Sequence, residues 1–231
     1  MYRLAICSLF RDNVADVRRT FIERSRWQYD KDRILHICIE GDSKDGTYEA
    51  LKAIDRKNVI VEKVDQGTVK IGSFAEPGRL KALAQLWNRA FEIALERKVQ
   101  HVFLLDSDIT VPPQVIPKLL ESKKDVISPM FFFENSIFFR DTWAYHKDGV
   151  DFINRHPYHV SHCNNVLYEV DGVGCPLMHY KVLADGARCD ENEVRGLSKS
   201  IKELGYKIFM DPRLAIYHPR DGQTVPENHE R

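Results

Sequence analysis

Val102-Phe103-Leu104-Leu105-Asp106-Ser107-Asp108 is an apolar run that ends abruptly in two carboxylates with one small residue between them. The run predicts a buried strand, and Ile109-Thr110-Val111 followed by Pro112-Pro113 marks its stop. Two acids at the open end of a buried strand repel each other and are costly to desolvate unless a positive charge compensates them. A divalent cation bound to a phosphorylated ligand supplies that charge. An isolated Asp-x-Asp is as readily a pair of solvated loop acids, so the surrounding sequence decides between the two.

Outward from this point, strands are expected at 4–9, 34–39, 59–64, 126–130, 166–171 and 206–210. Helices are expected at 13–29, 48–54, 78–97, 115–120 and 194–204, the last closed by Gly205. Alternating strands and helices imply an α/β domain with a mainly parallel central sheet covered on both faces. In such sheets ligands sit beyond the carboxyl ends of the strands. The polar segments 8–13, 40–45, 65–67 and 106–108 all follow strands and should gather along one edge. One domain is expected over 1–218, with a charged tail at 219–231.

The totals exclude several classes. The 231 residues carry 34 basic and 34 acidic side chains, so no global basic field favours nucleic acid or an anionic membrane. The five cysteines form no Cys-x-x-Cys, and Cys7 and Cys38 lie inside apolar runs as small core residues. A reducing, cytoplasmic setting is expected, because residues 1–7 enter a strand directly and no apolar stretch is long enough to span a bilayer. His156, His159 and His162 recur every third residue, but with Cys163 alone beside them they make a poor zinc set.

Five blocks, in order, resemble a GT-A-fold glycosyltransferase of the family 2 type. Ile39-Glu40-Gly41-Asp42-Ser43-Lys44-Asp45-Gly46-Thr47 is similar to the family's Val-Asp-Asp-Gly-Ser-Thr-Asp-Gly-Thr loop. Leu86-Trp87-Asn88-Arg89-Ala90 resembles its Ala-Arg-Asn-x-Ala helix, and Leu105-Asp106-Ser107-Asp108 its Asp-x-Asp signature. Gly172-Val173-Gly174 resembles the glycine turn beneath the acceptor site. The stretch from Glu193 through Gly205-Tyr206 to His218 resembles the closing segment. The chain departs from the pattern at Glu40, where Asp is usual, at Gly41-Asp42, which reverses the common order, and at Val194, where an Asp usually follows Glu193.

The resemblance implies transfer of a sugar from a nucleotide-diphosphate donor to an acceptor hydroxyl, with inversion expected and retention open. It implies a nucleotide-sugar-binding half at 1–130 and an acceptor-binding half at 131–218. Mn²⁺ or Mg²⁺ would be held by Asp108, by Asp106 (or Asp106 would meet the ribose), and by His218. Ser8, Arg11, Glu40, Arg79, Lys81, Asp106 and Ser107 are the candidate nucleotide contacts. Asp42 and Asp45 are expected to shape their turn, and Arg89 to pair with a carboxylate of the site or the loop. Glu193 is the first choice for the base and Glu191 the second, with Asp190 on the same loop. Phe131, Phe132, Phe133, Phe138, Phe139 and Trp143 could form an acceptor platform or a lid over the core. The acceptor is open: a glycan, a lipid carrier, a protein or, less readily, a hydroxylated DNA base.

Three rivals are weaker. Asp106-Ser107-Asp108-Ile109-Thr110 fits the Asp-x-Asp-x-Thr of haloacid dehalogenase-like phosphatases, but three strands precede it where that family has none. A nucleotidyltransferase would open with a glycine-rich loop, and Ser8-Leu9-Phe10-Arg11 is not one. A non-catalytic sugar-binding module would not need Asp106, Asp108 and His218 intact.

Overall fold

Apolar runs without helical period become the middle of the sheet. β1 (Leu4–Phe10) and β2 (Ile34–Glu40) are buried along almost their whole length in the computed structural model, which describes residues 2–67, 77–133, 139–140, 142–147, 150–152 and 167–218. β1 pairs in parallel with β2 on one side and with β4 (His101–Leu104) on the other, and β3 (Val59–Lys63) extends β2 in parallel. Further strands are β5 (Val126–Phe133), β6 (Phe139–Arg140), β7 (Thr142–Lys147), β8 (Val150–Phe152), β9 (Tyr168–Val173), β10 (Leu177–His179) and β11 (Ile208–His218). The sheet order is β3-β2-β1-β4-β10-β5-β11-β9-β7-β8, with β6 on β5. The parallel core is the expected one. The second half adds antiparallel pairs, including β10 between β4 and β5, three residues too short to stand out in the sequence.

Side chains alternate across the strands and so supply two cores. Ala5, Cys7, Val102 and Leu104 face α3 (Pro77–Glu96) and α6 (Val194–Glu203), which contribute Ala84, Trp87, Ala90, Phe91, Leu197 and Ile201. Leu4, Ile6, Phe103 and Leu105 face the other way, onto Val115, Ile116 and Leu119 of α4 (Val115–Glu121). α1 (Val14–Ser25) and α2 (Thr47–Lys52) close a third cluster around Phe10, Phe21 and Leu51. The short α5 (Tyr180–Ala184) follows β10.

Some boundaries differ from the sequence reading. α1 stops at Ser25 rather than 29, and Trp27 beyond it is buried in the second core. β11 runs unbroken through Asp211-Pro212, because a bulge between Asp211 and Ala215 absorbs the proline and the fully buried Asp211 accepts from the Arg213 backbone and guanidinium. Gly172 lies within β9, opposite Trp143, so the turn begins only after Val173. Among the described residues no helix is long and apolar enough to cross a membrane. His156, His159, His162, Phe138 and the tail from 219 lie outside the described residues, as do the side chains of Phe133, Phe139 and Trp143.

Candidate active site at the carboxyl edge of the sheet

Beyond β4 the strand-like alternation continues: Leu105 is buried, Asp106 half-buried, Ser107 buried at 8% exposure and Asp108 half-buried. The Leu105 amide still donates to Cys7 O at 3.0 Å, prolonging the pairing with β1. Ser107 is turned inward, where its Oγ accepts from Asn13 Nδ2 at 3.1 Å and its carbonyl from Thr20 Oγ1 at 2.7 Å. Holding the middle residue inward turns both neighbouring acids away from the core. Ser8, fully buried, donates from Oγ to Leu105 O at 2.5 Å and accepts from Arg24 Nη2 at 2.7 Å. Ser8 and Ser107, read from sequence as nucleotide contacts, both hydrogen-bond inside the protein through their hydroxyl oxygens and brace the acid pair from below. Arg24 is buried, and desolvation pulls it down to about 10, which leaves it a cation at neutral pH.

The loops after β1, β2 and β3 are stitched to one another. Asp12, at φ 46°, accepts from the Lys44 amide at 2.9 Å and donates its own amide to Ser43 Oγ at 2.9 Å. Asp42, at φ 58°, accepts from the Gln66 and Gly67 amides at 3.1 and 3.0 Å and lies 4.0 Å from Arg11 Nη1. Asp45 accepts from the Thr47 amide at 3.0 Å and from the first amide of α1, Val14, at 2.9 Å. Asp42 and Asp45 thus shape the turn, as their residue types predict. A Cβ at Gly41 would sit 3.0 Å from Val64 O, so any larger residue would push back the chain that leaves β3. Glu40 is fully buried: Oε1 accepts from the Ser43 amide at 2.8 Å, and Oε2 has no hydrogen-bond partner. A buried carboxylate oxygen without a donor is unfavourable unless a ligand supplies one.

Sequence reasoning did not find the role of α3. Asn88 clamps Cys189 from both sides, accepting from its amide and donating to its carbonyl at 2.9 Å each. Trp87 Nε1 donates to Glu193 Oε1 at 3.2 Å. A Cβ on Gly196 would collide with the Asp190 carboxylate, whose Oδ1 accepts from the Asn192 amide at 2.7 Å. The loop 189–193 is thereby fixed, with Glu193 half-buried and Glu191 exposed. The signal available in the sequence was a tryptophan beside an asparagine on an otherwise apolar helix stripe. Arg89 is not part of this arrangement. It grips Glu62 of β3 at 2.5 and 3.0 Å and Glu92 at 3.0 Å, and those hydrogen bonds push it up.

Thr110 and Tyr217 form an antiparallel bridge that brings the end of β11 against the segment following Asp108. His218 is the last residue of β11, with its backbone opposite Phe133; its side chain lies outside the described residues. Tyr217, 41% exposed, stacks on Phe132 with centroids 6.0 Å apart, whereas Phe131 belongs to the core. Arg79 and Lys81 lie at the start of α3, half-buried and exposed respectively, and Gln66 reaches Ala82 O of the same helix at 3.1 Å. An open groove of about 670 Å³ between β9 and α6 is walled by Asp171, Gly172, Arg195 and Ser198.

Asp106 and Asp108 fit a hard divalent cation by donor chemistry, since carboxylate oxygens suit Mg²⁺ and Mn²⁺. Among the described residues no group of three His, Cys, Asp or Glu could hold a metal without help. A cation here would complete its shell with phosphate oxygens and water.

No family model matches the chain, and no curated protein matches it. Solved structures do. S. aureus TarS, residues 1–349, in complex with UDP superposes at a TM-score of 0.64 with 12% identity, covering 94% of this chain and 60% of that TarS chain. The same protein with UDP-GlcNAc gives 0.62 and 12%, covering 96% and 60%. GalNAc-T7 with UDP, GalNAc and Mn²⁺ gives 0.65 and 14%, covering 98% and 46%. The chain therefore has the GT-A fold and spans between about half and three fifths of these proteins' lengths.

Proposed function

Starting from a chain with the GT-A fold, we propose that it transfers a sugar from a nucleotide-diphosphate donor to an acceptor hydroxyl. The observation that carries this reading is the braced acid pair, Asp106 and Asp108, at the same sheet edge as the Glu40 carboxylate, whose Oε2 lacks a hydrogen-bond partner. The three complexes with UDP or UDP-GlcNAc support a uridine nucleotide as the first donor to test.

Asp106 and Asp108 would hold Mn²⁺ or Mg²⁺, with His218 as a third ligand. When bound, that cation neutralises negative charge on the leaving diphosphate. Glu40 Oε2 accepts an N–H of the base or a ribose hydroxyl, which ends its isolation. Arg11, 4.0 Å from Asp42, and Arg79 and Lys81, at the start of α3, would meet the nucleotide. Glu193 takes the proton of the acceptor hydroxyl; the acceptor oxygen bonds to the anomeric carbon as the bond to the diphosphate oxygen breaks, and that oxygen leaves with the electron pair. Attack from the face opposite the diphosphate inverts the anomeric centre. Glu191 is set aside, because its exposed side chain lacks the anchoring that Glu193 has. The acceptor would enter either along the groove beside α6 or over the stacked pair of Tyr217 and Phe132 at the end of β11, whose rings offer an aromatic face.

The test is release of nucleoside diphosphate from a panel of UDP-, GDP- and TDP-sugars with Mn²⁺. The reading expects turnover of one donor class, abolished by EDTA. No release from any of them, with water or with simple saccharide acceptors, would reject it.

A further inference from the structure

We propose that Trp87 is the positioning residue for Glu193: its indole N–H fixes the carboxylate in the orientation from which it takes the acceptor proton. This rests on the reading of Glu193 as the base. Trp87 is 1% exposed, stacks on Phe91 at 6.5 Å and 22°, and sits in the middle of the 20-residue α3, so its N–H is aimed by a rigid support. A buried indole N–H gains stability from an acceptor, and Glu193 Oε1 at 3.2 Å accepts from this one.

Three further features converge on the loop that carries Glu193. Glu193 sits at φ 57° and ψ −124°, a backbone conformation that residues with a Cβ rarely adopt and that surrounding structure must impose. Asn88, next to Trp87, clamps Cys189 at the start of the loop. Gly196 makes room for Asp190 in the middle of it.

An indole donates one hydrogen bond without adding a charge. It orients the carboxylate and leaves it more basic than a cation in the same place would. The groups around Glu193 are the neutral Trp87 and Asn88 from α3, Cys189, Asp190 and Glu191 from the loop, and Arg195 from α6. The near charges are thus of both signs, and the indole donates directly to the carboxylate.

The test follows the Trp87 indole ¹H–¹⁵N resonance and the Glu193 carboxyl carbon against pH in the full chain. Both should titrate with one midpoint, and Glu193→Gln should abolish the titration at Trp87. In Trp87→Phe the Glu193 midpoint should rise by about one unit, and the acidic limb of the turnover profile should move with it while KM for the nucleotide sugar holds. If Trp87→Phe does not fold, the wild-type and Glu193→Gln titrations decide alone. An indole signal indifferent to pH and to Glu193→Gln overturns the proposal. Coupling that survives while Glu193→Gln turns over fully overturns the base reading; lost turnover without coupling overturns the role of Trp87.

Discussion

Thr110 and Tyr217 exchange two backbone hydrogen bonds, 2.9 Å from the Thr110 amide and 3.1 Å from the Tyr217 amide. The segment two residues past Asp108 is therefore pinned to the penultimate residue of β11. Residues more than a hundred positions apart in sequence become one wall of one cleft, and the His218 backbone comes with them.

The acid loop predicts a sharp asymmetry between neighbours. Glu193→Gln keeps the shape and the bond from Trp87 but removes the base, so turnover should fall by about 10²- to 10⁴-fold with little change in KM. Glu191→Gln, at an exposed site, should stay within about twofold of wild type. Steady-state kinetics on the two variants check this, and equal losses would contradict it.

Glu40→Gln should separate stability from binding. The amide oxygen can still accept from the Ser43 amide, and a buried charge disappears, so the ligand-free protein should melt at the same temperature or higher. Nucleotide affinity should drop by about tenfold, the size expected for losing a charged acceptor. Calorimetric titration with UDP measures it; unchanged affinity would remove Glu40 from the nucleotide site.

Acid should destabilise the fold through two histidines far from the chemistry. Burial, with Arg24 and Arg56 nearby, holds His36 well below its ordinary range. Burial, with His179 at 5.2 Å, holds His101 down to about 4. Between pH 6.5 and about 4 the unfolded chain binds protons that the folded chain refuses, so stability falls as pH drops through that window. Urea melts at pH 7 and pH 5 should show the loss, and His101→Gln should lessen it.

The strand ending in Asp106-Ser107-Asp108 was legible because burial on both faces writes an uninterrupted apolar run and a carboxyl edge writes polar residues after it. The same reasoning anticipated that Asp42 and Asp45 shape their turn. It could not foresee that Ser8 and Ser107 face inward, since a small hydroxyl at a strand end serves a ligand or a backbone equally well. The bond from Trp87 to Glu193 joins residues 106 positions apart and leaves no local periodicity to read. Arg89, two residues further along α3, faces the opposite way onto Glu62, because a helix turns about 100° per residue.

The most direct measurement is thermal unfolding with UDP, with Mn²⁺, and with both, for wild type and Asp108→Ala. The wild type should be stabilised by the pair well beyond the sum of either alone, and Asp108→Ala should fold normally but lose that synergy. Equal stabilisation of both proteins, or UDP binding in wild type indifferent to the metal, would contradict the role given to the acid pair.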